Sequence, residues 1–283
     1  MRLTIAGFGH FAQIVGACLR QRGHSIVQFD YEPFLKRPDQ REAREEPGWA
    51  EMAFPALEED SKRADPDLVW IAYDVPLDAA GAPVVDAVLA RIERIHDDRP
   101  RHIPFLVSCQ WPVGTMRKIA GLCPGREFVY VMENVRAGKA IEDFKADPLP
   151  AIGALGLPSG TVWKFIKSLA TVKEPWCSAW ETIEFAKHSL NAFLALQIAF
   201  VNELARIAPD DVDMADVTRV LRSDPRVSPK APLLAGAPFG GGSLKRDLLV
   251  LDALGVDRGL VYTPILDAIL PSNENNPQWI VKP

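Results

Sequence analysis

Residues 2–30, RLTIAGFGHFAQIVGACLRQRGHSIVQFD, place a β-type run, a glycine turn, an amphipathic helical run and a second β-type run in unbroken succession. Two consecutive strands joined through a helix lie parallel and need a crossover, so this opening stretch demands a sheet with helices on its faces. Its turn, Gly7-Phe8-Gly9-His10-Phe11-Ala12, has the GxGxxA form of the dinucleotide fingerprint. Gly7 permits the tight bend, Gly9 lets the backbone approach a pyrophosphate at the helix N-terminus, and Ala12 is small enough for close packing of helix on strand. Phe8, His10 and Phe11 complete the turn, His10 either contacting phosphate or capping the helix. The second strand ends in Asp30, about 20 residues beyond the glycines, where a carboxylate accepts from an adenosine ribose and repels a 2′-phosphate. The stretch predicts a dinucleotide site that takes NAD in preference to NADP. A glycine motif alone is weak evidence; the order strand, turn, helix, strand, acid is specific.

The same alternation continues. Asp67–Tyr73 reads as a buried strand turned by Asp74-Val75-Pro76, 77–98 as a helix, and 103–108, 128–132 and 149–153 as further strands. Strands alternating with helices make a doubly wound parallel sheet, in which ligands lie at the carboxyl ends of the strands. The turns 7–12, 74–76, 109–115 and 133–138 should therefore face one crevice. Residues 31–66 are polar and proline-punctuated and read as a surface loop with a short helix.

Beyond the sheet runs SAWETIEFAKHSLNAFLALQIAFVNELARI, residues 178–207. Ser178 followed by Glu181 is a capping-box signature, and Pro209 marks the far end. The stretch between them has no proline or glycine and predicts a helix of roughly 45 Å. Phe185, Leu190, Phe193, Leu194, Ile198, Val201 and Leu204 recur at three- and four-residue steps, which predicts a broad buried face. Lys187 and Asn191 sit four apart in that run and project from one side. A lysine there is costly unless it is paired, used, or snorkels to water along its methylenes. His188, about 100° round the helix from Lys187, reads as a packing or surface residue. Trp163, Trp176 and Trp180 read as packing the domain junction.

The net charge of −5 argues against a nucleic-acid binder working through a basic surface. No apolar run reads as membrane-spanning, the long helix being interrupted by Glu184, Lys187 and Glu203. The N-terminus shows no leader, and Cys18, Cys109, Cys123 and Cys177 show neither metal spacing nor a disulfide framework, which predicts a reduced, cytoplasmic protein without a metal.

Four separated blocks resemble the nucleotide-sugar dehydrogenases that oxidise UDP-glucose or GDP-mannose to the uronic acid. SCQWPVGT (108–115) is similar to that family's STVPVGT segment, and MENVRAGKAIEDF (132–144) to its PENLREGKAIxDF segment. EFAKHSLNAFLALQIAFVNELA (184–205) resembles its central helix, and DPRV with PFGGGSLKRD (224–227, 238–247) its DPRI and GFGGSCLPKD. The resemblance implies that Lys187 and Asn191 hold the substrate oxygen and stabilise its developing charge. It implies that Glu133 is a base or water-orienting group and that Asp247 orients the lysine and water. Val75 and Gln110 would touch the cofactor, and Arg136 and Arg246 the substrate. It further implies a homodimer through the helical domain.

The departures carry as much weight. Ser243 falls where the family has the cysteine that captures the aldehyde for a second oxidation, and a serine without a neighbouring base is a far poorer nucleophile. Cys109 is the one thiol on a crevice-facing turn that could replace it. Lys245-Arg246 stands for the family's Pro-Lys, and Gln110 for a threonine resembling a water-binding residue. The family continues into a third, nucleotide-binding domain, whereas this chain stops at Pro283, so the resemblance is to a shortened form. Its layout is then similar to the shorter β-hydroxyacid dehydrogenases, which also use a lysine and an asparagine four apart.

The reading is a Rossmann domain over residues 1–172 and an all-α domain over 173–283 built on the long helix. It predicts an NAD-dependent oxidoreductase making a single hydride transfer between a hydroxyl and a carbonyl. The alternatives are a four-electron dehydrogenase using Ser243, and a silent dinucleotide-binding protein.

Overall fold

The computed structural model describes residues 1–30, 65–79, 81–136, 138–146, 151–169, 174–240 and 242–276. The loop and short helix expected over 31–66 lie outside them, apart from residues 65 and 66. The described chain runs β1 (Arg2–Ala6), α1 (His10–Gln21), β2 (Ser25–Phe29), β3 (Leu68–Ile71), α2 (Asp86–Asp98), β4 (Phe105–Val107) and α3 (Thr115–Leu122). It continues through β5 (Phe128–Val131), α4 (Ala140–Ala146), β6 (Ala151–Gly153), α5 (Gly160–Leu169) and β7 (Trp176–Ser178). Four helices follow: α6 (Trp180–Ile207), α7 (Met214–Ser223), α8 (Gly242–Asp257) and α9 (Pro264–Glu274).

The strands form one sheet in the order β2-β1-β3-β4-β5-β6-β7. The first five are parallel, with Ala6 opposite Phe29 on one side and Ile71 on the other. Every residue of β3, β4 and β5 is buried, which a strand achieves only when helices cover both faces. The order reverses at β1 and β3, so the crevice beyond their carboxyl ends is the topological switch point.

The chain departs from a purely parallel sheet at its far edge. β6 pairs antiparallel with β5, Val131 opposite Ile152, and carries β7 parallel to itself. The chain leaves β5, makes the two-turn α4, and re-enters the sheet at the carboxyl end of β5, where Met132 N donates to Ala151 O (3.1 Å). β7 is a strand that three exposed or half-exposed residues did not announce. The helix expected from residue 77 starts only at Asp86. The described residues 76–79 and 81–84 turn back instead, with Ala82 N on Asp78 Oδ1 (2.9 Å) and Gly81 at φ +86°.

By contacts the described chain divides into two units, residues 1–77 with 83–185, and residues 78–82 with 186–283. The division falls between Phe185 and Ala186, inside α6, whose first two turns carry Trp180 and Ile183 into the packing of the sheet. Ser178 closes β7 rather than capping α6, and Glu181 pairs with Arg117 (2.5 Å). Of the tryptophans expected at the junction, Trp180 is buried and Trp176 is 81% exposed on the edge strand.

α6 also buries a different side from the one expected. Phe185 and Phe193 are 47% and 58% exposed, and Val201 alone of the seven stripe residues is fully covered. The covered side carries Lys187, His188, Asn191, Ala192, Ala195 and Ala199. Three alanines let the helix approach Leu248 and Leu251 of α8 and Ile269 of α9 closely. By length and composition alone α6 could cross a bilayer, a test that the core helix of a soluble protein also meets; Glu184, Lys187, His188 and Asn191 along it are buried within the protein.

Candidate active site

In the first unit the glycine turn follows β1 as its motif requires. Gly7 has φ +117°, and a Cβ there would lie 2.6 Å from Ala72 O, so only glycine fits. Its N–H donates to Phe29 O (3.0 Å) and its carbonyl accepts from Gln28 Nε2 (2.8 Å), which ties the turn to β2. Gln13 Nε2 holds Phe8 O (2.7 Å). Gly9 is the N-cap of α1; no side chain caps this end and no acid lies in its first turn, the arrangement that receives an anion. Ala12 is fully buried, and Phe11 turns its ring inward, edge-on to Trp70 at 6.2 Å. The turn fits a pyrophosphate with one qualification: the carboxylate of Asp74 lies against Gly9, 1.9 Å from where a Cβ would stand. Asp30 directly follows β2, half-buried, and Val75 is buried in the turn after β3.

The turns after β4 and β5 meet through side chains. Gln110 Nε2 donates to Glu133 Oε1 (2.6 Å), while Gln110 Oε1 is buried without a hydrogen-bond partner among the described residues. The β4 turn is pinned from α6. Glu184, fully buried, accepts from Trp111 Nε1 (2.9 Å), Gly114 N (2.7 Å) and Met116 N (2.9 Å), a carboxylate set on the N-terminus of α3. Burial pushes its carboxyl above the ordinary range against those three donors. Sequence reasoning treated Glu184 only as a break in an apolar run. An acid there, three residues before Lys187, raises the same question of how its charge is paid for.

Arg136 is solvent-exposed and forms a bidentate pair with Asp143 (Nε–Oδ2 2.9 Å, NH2–Oδ1 2.5 Å). Cys109 is 2% exposed, and burial pushes its thiol up to about 12, which leaves almost no thiolate at neutral pH.

In the second unit Asn191, His188 and Asp247 come together, and Lys187 is buried one turn before Asn191 on the same helix. Lys187 is 3% exposed, so it does not snorkel. Asn191 Nδ2 donates to Asp247 Oδ2 (2.5 Å), and Asp247, on α8, is wholly buried. His188 Nδ1 lies 3.0 Å from Asp247 Oδ1, and Arg246 Nε 3.8 Å from the same oxygen. His188, read from sequence as packing or surface, is 1% exposed and part of the cluster. Ser243 is exposed in the first turn of α8, one turn before Asp247. All four cysteines lie in the first unit, so the second offers no thiol.

Residues 181–275 match the model of the UDP-glucose/GDP-mannose dehydrogenase family, central domain. The chain is 26% identical to a UDP-glucose 6-dehydrogenase of Pseudomonas aeruginosa, over 89% of this chain and 60% of that protein. The structure of a UDP-glucose dehydrogenase from the hyperthermophilic archaeon Pyrobaculum islandicum superposes with a TM-score of 0.80 at 26% identity, covering 97% of this chain and 68% of that one. A 3-hydroxyisobutyrate dehydrogenase of Mycobacterium tuberculosis shares the fold, with a TM-score of 0.65 at 16% identity, covering 97% of this chain and 92% of that one. The chain thus spans about three fifths to two thirds of the sugar-nucleotide dehydrogenases it matches, and nearly all of the shorter enzyme.

Proposed function

From a chain related along most of its length to the nucleotide-sugar dehydrogenases, we propose an NAD-dependent oxidoreductase that makes one hydride transfer between a hydroxyl and a carbonyl of a sugar-like or small hydroxy substrate. The observation that carries this reading is the buried lysine: Lys187 lies one turn before Asn191, which is bonded to Asp247, in a unit whose family model is that of a dehydrogenase.

Gly7, Gly9 and the first turn of α1 would hold the pyrophosphate, Asp74 yielding the space against Gly9, and Asp30 would hold the adenosine ribose. Bound there, NAD supplies a two-electron acceptor. The substrate carbon gives up its hydrogen with the bonding pair, and the hydroxyl proton leaves to a protein base as the C=O bond forms. Lys187 donates to the substrate oxygen and stabilises the negative charge that develops on it. Asn191, one N–H committed to Asp247, offers its other N–H and its carbonyl oxygen to position that oxygen. Glu133 accepts from Gln110, which fixes one of its oxygens and leaves the other to take the proton. Chemistry stops after one hydride because capture of an aldehyde needs a nucleophile, and an exposed serine replaces the thiol.

The outer apolar stripe of α6, Phe185, Phe193, Phe200 and Ile207, supports a homodimer formed through this helix. Four free cysteines suit a reducing, cytoplasmic setting. The test is NAD reduction with UDP-glucose, GDP-mannose and 3-hydroxyisobutyrate as probes, with the product identified by mass spectrometry. A carbonyl product at one NADH per substrate supports the reading. An acid at two NADH per substrate, lost in Ser243→Ala, replaces it with the four-electron reaction. NAD binding without turnover of any alcohol points to a silent dinucleotide-binding protein.

A further inference from the structure

Asp247 is a buried carboxylate whose Oδ2 accepts from the Asn191 amide at 2.5 Å, while its Oδ1 lies 3.0 Å from the His188 ring nitrogen Nδ1, within hydrogen-bond distance but outside hydrogen-bond angle, and has no other hydrogen-bond partner among the described residues. Both His188 and Asp247 are shut off from water, at 1% and 0% exposure, so the contact cannot be exchanged for a hydrogen bond to solvent. A carboxylate offers only acceptors, and an imidazole nitrogen beside it is stable only when it carries the proton.

We propose that His188 is a positioning residue: with its proton on Nδ1 it fixes Asp247, which in turn fixes the amide of Asn191. Arg246 Nε, 3.8 Å from Oδ1, is too far for a hydrogen bond and adds only charge to the same oxygen. The remaining charged member of the cluster is Lys187, next to His188 on α6. Asp247 is thereby held as an orienting group rather than as a base. Without a partner on Oδ1 it can rotate, and the Asn191 amide turns with it. The inference rests on the reading of Asn191 as a group that holds the reacting oxygen, and its first test does not depend on that reading.

The first test is the tautomer. In protein labelled with ¹⁵N-histidine, the signal lost in His188→Asn identifies His188 among the five histidines. The proposal predicts a proton on Nδ1, the nitrogen left bare in the tautomer favoured in water, and a changed ring state in Asp247→Asn. A ring protonated on Nε2 with Nδ1 bare, unaltered by Asp247→Asn, overturns it. The second test is turnover with whichever of the three probes reduces NAD. His188→Leu should lower kcat about 10- to 100-fold, the scale seen when an orienting partner is removed, with KM for NAD unchanged. His188→Asn, whose side-chain N–H stands near the Nδ1 position, should recover to within about threefold of wild type. Equal loss in both variants, with melting temperatures preserved, reduces His188 to packing and overturns the proposal. Absence of turnover in the wild type counts against the dehydrogenase reading alone, and the tautomer then decides this one.

Discussion

Glu184→Ala should be among the most destabilising single substitutions in the first unit. The side chain is fully buried and accepts from Trp111 Nε1, Gly114 N and Met116 N at 2.7–2.9 Å. Removing it leaves three donors without an acceptor, each worth about 1–3 kcal/mol when buried and unmet. Recovering the cost of burying the carboxylate offsets part of that sum, so the net loss should be about 3–5 kcal/mol. In a unit of this size that is a fall of about 10 °C in Tm. Glu184→Gln keeps the shape and part of the accepting capacity but opposes an N–H to an N–H, so it should lose about 1–3 kcal/mol. Glu181→Ala, one turn away, removes an exposed pair with Arg117 and should leave Tm nearly unchanged. The pH dependence has a fixed sign. Burial raises the folded-state value of Glu184 above 4.5, so folding takes up a proton in that window. Its contribution is therefore full below 4.5 and declines as pH rises through the raised folded value, and Glu184→Gln should flatten that segment of the stability curve. The assay is urea or thermal unfolding followed by tryptophan fluorescence. A loss below about 1 kcal/mol in Glu184→Ala would mean that the three hydrogen bonds are not made in solution.

Other outcomes follow from single residues. Asp30→Ala should weaken NAD binding and narrow its advantage over NADP, read by titration of dinucleotide fluorescence; a wild type that prefers NADP contradicts the placement of the carboxylate at the ribose. Asp74→Asn should tighten NAD by removing a charge beside Gly9, and unchanged affinity would show that the side chain swings clear at no cost. Iodoacetamide at neutral pH should label exposed Cys177 well before Cys109, whose thiol sits near 12; the reverse order by peptide mapping would reopen Cys109 as a nucleophile. Phe193→Arg should shift the chain to monomer in sedimentation, and a monomeric wild type would leave the outer stripe of α6 without that explanation.

The parallel half of the sheet was legible because the short apolar runs, the glycine turn and Asp30 each have a local cause. The antiparallel edge was not, since nothing within 149–153 records which end of β5 the chain returns to. On α6 the apolar stripe was visible, but periodicity cannot say whether the chain's own helices or another surface covers it. The small residues Ala192, Ala195 and Ala199 mark the side that packs within the chain. The same error hid His188. A covered arc wider than 100° admits adjacent positions, so residues 187 and 188 are both buried, and a 100° offset does not remove a residue from the site. Asn191 was legible from its spacing to Lys187, and Asp247 only through the family resemblance, because their contact joins α6 to α8 across a gap that no local pattern records.

The central claim is that Lys187 carries a single two-electron oxidation. It is tested most directly by counting NADH formed per molecule of substrate consumed, in wild type and in Lys187→Ala matched for NAD affinity. The account predicts one NADH per substrate in the wild type and a fall in turnover of about 10²–10⁴-fold in the variant, with NAD binding preserved. Two NADH per substrate, or a variant that turns over as fast as the wild type, would contradict it.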